Sequence, residues 1–141
     1  MPHLYPTREA GRDFILRGLQ GPVIMLNLLR FRETADYSDY PELAPPSPIS
    51  GREAYRRYVA HTTPFLEKSG GRVLFSGDGG GWLIGPPDEV WDMCVLVEQK
   101  DTQTFLAFER DPDFMVGHGH RQAAIADSRL LPISPAAGAP M

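Results

Sequence analysis

The sequence has a single cysteine, Cys94, among 141 residues. An internal disulfide and a zinc site built from several cysteines are therefore excluded. Long apolar runs are missing too. The longest are about seven residues, such as Val23 to Leu29 with Asn27 inside, far short of the ~20 that span a bilayer. There is no excess of positive charge: Lys and Arg total 14 against 18 for Asp and Glu, a formal charge of −4. That balance leaves no electrostatic footprint for a nucleic-acid backbone or an anionic membrane. The segment Met1-Pro2-His3-Leu4-Tyr5-Pro6 lacks the basic start and apolar block of a signal peptide. No G-x-S-x-G element, Rossmann fingerprint or H-E-x-x-H pair is present. These absences point to a soluble, cytoplasmic, single-domain protein with neither nucleic-acid nor membrane partners.

What is present suffices for a core, since 42% of the residues are apolar. The 14 glycines and 14 prolines would suggest disorder if spread evenly, but they are concentrated at a few places. Thr7 caps a helix expected to run to about Leu19, and Val23 to Arg32 reads as a strand covered on both faces. The proline-rich segment 33–49 follows as a long loop and candidate mobile flap. Ser50-Gly-Arg-Glu53 is a capping-box pattern opening a helix with Tyr55, Tyr58, Val59, Thr62 and Leu66 on one stripe. Pro64 is expected to kink it and Gly70-Gly71 to end it. Arg72 to Ser76 and Trp82 to Ile84 read as strand segments interrupted by Gly77-Asp-Gly-Gly-Gly81, a bulge or hairpin using positive φ. Trp91 to Gln99 is a strand with Trp91, Met93, Val95 and Val97 on one face. Helices over 102–110 and 112–126 and a strand over 128–133 complete the pattern. Residues 1–134 form the domain, and 135–141 a flexible tail.

After the first helix the order is strand, helix, strand, strand, helix, strand. This is the split βαβ arrangement of an α+β, ferredoxin-like fold, with an antiparallel sheet covered by helices on one face. The strands nevertheless look apolar on both faces. A second copy of the chain is the economical cover, giving a homodimer of the dimeric α/β-barrel type.

Several segments together resemble domain-of-unknown-function family 1330 (DUF1330). They are Pro22-Val-Ile-Met-Leu-Asn-Leu-Leu-Arg-Phe31, Ser50-Gly-Arg-Glu-Ala-Tyr55, Gly70-Gly-Arg-Val73, Trp91-Asp92, Asp111-Pro-Asp-Phe114 and His120 through Leu130. The likeness spans about 7–134 and is to the longer form, with an N-terminal helix and a long loop after the first strand. It implies a ferredoxin-like fold and a dimer. The superfamily includes cofactor-free oxygenases, haem-degrading enzymes, isomerases and binding proteins, so the resemblance brings no single activity and no established catalytic residues.

Candidate site residues are polar groups set in apolar elements. Asn27 breaks an apolar strand and needs either backbone partners or a ligand for its amide. Trp91 and Asp92 open a strand on opposite faces, and Asp92 is a candidate general base. In Gly117-His118-Gly119-His120-Arg121, His120 is a candidate proton carrier and Arg121 an anion clamp. Two histidines two apart on a helix do not converge, so no metal is expected. Arg30 and Arg129 are either ion-paired, with Asp127 or Glu98, or clamps for a substrate carboxylate. Tyr55 and Tyr58 are core residues whose hydroxyls can reach a cavity. The reading is of a small-molecule-binding homodimer that needs no cofactor. Its substrate-binding set is Asn27, Arg30, Tyr55, Tyr58, Trp91, Arg121 and Arg129, and His120 and Asp92 are the catalytic pair if it is an isomerase, lyase or oxygenase acting on a small organic acid. The alternative is a non-enzymatic module that binds a metabolite or partner through the 33–49 loop.

Overall fold

The computed structural model describes residues 2–135, so the 135–141 tail, but for Pro135, lies outside the described residues. The elements are α1 (Arg8–Leu16), β1 (Val23–Phe31), a 3-10 turn (Pro41–Leu43), α2 (Gly51–Lys68), β2 (Arg72–Gly81), β3 (Val90–Gln99), α3 (Thr102–Phe108), α4 (Pro112–Val116), α5 (His118–Ala124) and β4 (Ile125–Ile133). The sheet order is β2-β3-β1-β4 with every neighbouring pair antiparallel, the ferredoxin-like α+β topology.

Strand alternation sorts β1 into two faces. Val23, Met25 and Leu29 are buried on the inner face, where Leu29 packs with Ala54, Tyr55, Val95, Ala123 and Ala124 beneath α2 and α5. Ile24, Leu26 and Leu28 lie on the outer face and remain half-exposed. Register places Leu26 between Leu96 of β3 and Leu131 of β4, so an apolar stripe crosses the outer sheet face.

The helices α1 to α4 start on side-chain caps, whereas α5 follows Gly117 and has none. Thr7, Ser50, Asp101 and Asp111 accept hydrogen bonds from Ala10, Glu53, Thr104 and Asp113 N–H at the starts of α1, α2, α3 and α4. Only half of the capping box forms at α2, because the Glu53 carboxylate turns to Arg56 at 3.1 Å. The helix continues through Pro64.

Five local expectations are corrected. First, α1 stops at Leu16, with Gly18 in the left-handed region at φ 58° just beyond it. Second, the helix expected over 112–126 is broken at Gly117, where a Cβ would overlap the His61 ring, and β4 begins at Ile125. Third, the glycines 77–81 form no hairpin. They belong to β2, none has positive φ, and the β2 register slips instead between Val73 and Phe75. Fourth, Trp91 is buried but joins neither core cluster; the Arg30 and Arg129 guanidiniums lie over its ring. Fifth, the 33–49 loop, expected to stand free, packs against the domain. Arg32 and Asp36 N–H donate to the Ala124 and Ala123 carbonyls at 2.8 and 2.9 Å, Thr34 bridges to Ser50, and Tyr37 is buried in the core.

Candidate functional site

The sheet's inner face, α2 and the α3–α5 segment enclose a partly open cavity of about 100 Å³. Of the residues singled out from the sequence, Asn27, Tyr55, Tyr58 and Arg121 line it. Its walls between the polar groups are apolar, with Met25, Val95, Val97, Leu66 and Phe108 among them. The Asn27 amide donates to the Met25 and Val95 carbonyls at 3.2 and 3.4 Å, so both of its protons are held by backbone. Tyr55 and Tyr58 stack down one side of α2 with ring centroids 5.6 Å apart.

Arg121 is the cavity's cation. It sits in the last turn of α5, half-buried, and none of the ion pairs among the described residues includes it. Its charge reaches several neighbours. Burial raises the pKa of Tyr55 and Tyr58, keeping both phenols protonated, and the guanidinium partly offsets this. The same two influences act on Glu109 at the cavity edge, where desolvation raises the carboxyl and Arg121 pulls it back. Two further polar atoms of the lining are unpartnered. Gln99 is only 2% exposed and its amide oxygen has no hydrogen bond. The Thr62 hydroxyl oxygen lies near enough to Tyr58 to perturb it but makes no hydrogen bond of ordinary length.

Close packing holds α5 in place. The His61 ring occupies the space over Gly117 and its Nε2 meets the Asp113 and Phe114 carbonyls at 3.0 and 3.1 Å. Tyr40 and Leu43, from the loop, occupy the space over Gly119, where a Cβ would lie 2.5 Å from the Tyr40 ring. The two glycines thus admit the protein's own side chains.

The remaining candidates stand elsewhere. His120 faces the loop, its Nδ1 2.7 Å from the Tyr37 hydroxyl, and does not line the cavity. Burial raises the pKa of the Tyr37 phenol, so the hydroxyl keeps its own proton. Asp92 accepts the Phe31 N–H at 2.8 Å. Arg30 and Arg129 both pair with Asp127, at 2.9 and 2.8 Å, on the outer face. Burial works to raise the Asp127 pKa, but hydrogen bonds from His3 N–H, Arg129 and Ser128 N–H outweigh it and hold the carboxyl low. Both guanidiniums lie over the Trp91 ring, 5.6 and 4.9 Å from its centre. The predicted set therefore divides between the two faces of the sheet. Gln99 and Glu109 were missed. Gln99 continues the alternation of Val95 and Val97, which was the available signal, whereas Glu109 follows the end of α3 and carried none.

A larger groove of about 370 Å³ runs between α1 and α3 past Ile15, Gly21 and Leu106. Its one carboxylate, Asp101, caps α3, so it offers no comparable chemistry. Among the described residues no helix is long and apolar enough to cross a membrane, and no three His, Cys, Asp or Glu side chains are grouped to hold a metal ion.

No protein-family model and no curated protein matches the chain. Among solved structures it is similar to the methylated RPA0582 protein, with 37% identity, a TM-score of 0.83 and 96% of each chain covered. It is likewise similar to the RPA0582 protein of unknown function from Rhodopseudomonas palustris, at 36% identity and TM-score 0.82 over 98% of this chain and 100% of that one. An uncharacterized NIPSNAP domain protein from Burkholderia xenovorans shares the fold alone, at 11% identity and TM-score 0.50 over 84% of this chain and 99% of that one. At that identity and coverage, the chain belongs to the family of the Rhodopseudomonas palustris RPA0582 protein.

Proposed function

We propose that the protein binds a compact organic acid in the inner cavity, with Arg121 holding the carboxylate or enolate oxygens. The supporting observation is Arg121 itself, a half-buried cation in no ion pair among the described residues, with Glu109 the acid its charge reaches across the cavity. Removing a cation from water without a counter-ion is costly. The arginines of the outer face share a carboxylate at ion-pair distance, whereas Glu109, the acid in the cavity lining, forms no ion pair with Arg121. The protonated phenols of Tyr55 and Tyr58 complete the donor set, and Asn27 lines the cavity with its amide protons held by backbone. A cavity of about 100 Å³ is below the ~300–1,000 Å³ of drug-sized sites, so the ligand has few heavy atoms.

Binding is favoured over proton transfer by His120 and Asp92, because each is engaged outside the cavity. The packed loop likewise weighs against a partner-binding flap. The reading also takes the protein to be a cytoplasmic homodimer of the DUF1330 type. Its motifs, the free Cys94 and the apolar outer sheet face support this.

The test is thermal unfolding of the native protein and Arg121→Met in a panel of short-chain carboxylates. At a hundred times its dissociation constant a ligand stabilises by about 2.7 kcal/mol, so at least one acid should raise the native midpoint by roughly 10 °C. None should raise that of Arg121→Met. Equal shifts in both proteins, or no shift with any acid, would refute the reading.

A further inference from the structure

The cavity has a second polar end. Asn27 lies opposite Val95 and Gln99 lies opposite Val23, so the two sit four residues, about 13 Å, apart along the sheet. Between them are Met25 and Val97, directly paired and apolar. On the facing helix Tyr55 and Tyr58 stand over the Asn27 end, and Leu66 lines the cavity further along. Arg121 lines the same cavity, and its charge reaches both tyrosines.

Gln99 is the group that demands an explanation. It is 2% exposed, it lines the cavity, and its amide oxygen has no partner. A buried amide in an apolar wall is destabilising unless something hydrogen-bonds to it. A leucine would fill the same place at no such cost, and the neighbouring wall is made of such residues.

Resting on the organic-acid reading, we infer that the ligand is a hydroxy acid: a carboxylate for Arg121, a short apolar chain for the Met25–Val97 wall, and a terminal hydroxyl for Gln99. A hydroxyl suits this amide in either orientation, since it donates to the oxygen and accepts from the nitrogen. Gln99 is then the specificity residue of the site, and it discriminates against the acid that lacks the hydroxyl by being left unpaired.

Calorimetric titration of the full chain with matched pairs tests this. The probes are 4-hydroxybutyrate, 5-hydroxypentanoate and 6-hydroxyhexanoate, each against butyrate, pentanoate or hexanoate. At least one hydroxy acid should bind about tenfold more tightly than its parent, the worth of one buried hydrogen bond. Gln99→Leu should abolish that preference while retaining the parent acid's affinity. If parent acids bind and no hydroxyl improves binding in the native protein, the inference fails and the organic-acid reading stands. If no acid of either kind binds, both fail. The native-protein comparison decides the matter even if Gln99→Leu does not fold.

Discussion

His118 and His120, two apart on α5, both carry imidazoles whose pKa is lowered by burial. For His118 the Arg121 charge adds to the effect, and for His120 the charges of Arg57 and His61 do. In the unfolded chain an imidazole titrates near ~6.5. Below that value the unfolded chain takes up protons that the folded chain refuses. The stabilisation is therefore full above the unfolded pKa and is lost as pH falls through the folded one. Glu109, raised by burial, contributes the opposite slope nearer the carboxylate range. The thermal midpoint should fall as pH is lowered from about 7.5 to 5.5, and less steeply in His118→Gln. A flat or rising midpoint in the native protein would contradict this. At this scale the sequence was legible in type but not in direction. Asn27, Tyr55, Tyr58 and Arg121 could be picked out as polar groups in apolar elements, and they converge. Arg30 and Arg129 satisfied the same criterion and lie on the opposite face, because a residue's face depends on a register that one strand does not reveal.

Among the elements, glycines distinguish tight packing from open backbone. A Cβ on Gly51 would lie 2.6 Å from the Ala124 carbonyl oxygen and within the Arg32 backbone, where the loop, α2 and the end of α5 meet. Gly80, in β2, has nothing within 4 Å of the same position. Gly51→Ala should therefore cost about 1–3 kcal/mol in urea denaturation, as overpacking does, whereas Gly80→Ala should be neutral or stabilising. A cost at Gly80 and none at Gly51 would mean that the glycine-rich stretch is a turn after all. The caps at Thr7 and Ser50 were readable because capping is local chemistry. The break at Gly117 was not, since it depends on His61, more than fifty residues away in the chain. The loop was misjudged for the same reason: its composition is that of a flap, but Tyr37 anchors it to His120.

The whole molecule presents an apolar sheet face that its own helices do not cover. Phe75 is 57% and Leu131 56% exposed, and Leu26 and Leu96 lie between them. Burying such a face against a second copy is the ordinary means of removing it from water. Sedimentation at micromolar concentration should give a dimer, and Leu26→Glu, which sets a charge in the centre of the stripe, should give a monomer. A native monomer would mean that this face is covered in another way. The α+β topology was legible from element order because the order of strands and helices admits few sheets. The cavity proposed to bind an acid lies on the inner face, opposite the apolar stripe. Its central claim is most directly tested by melting the native protein and Arg121→Met side by side in the tightest-binding short-chain acid. A rise of roughly 10 °C for the native protein and none for the variant is the predicted result. An equal rise in both would show that the acid binds elsewhere and that Arg121 is not its partner.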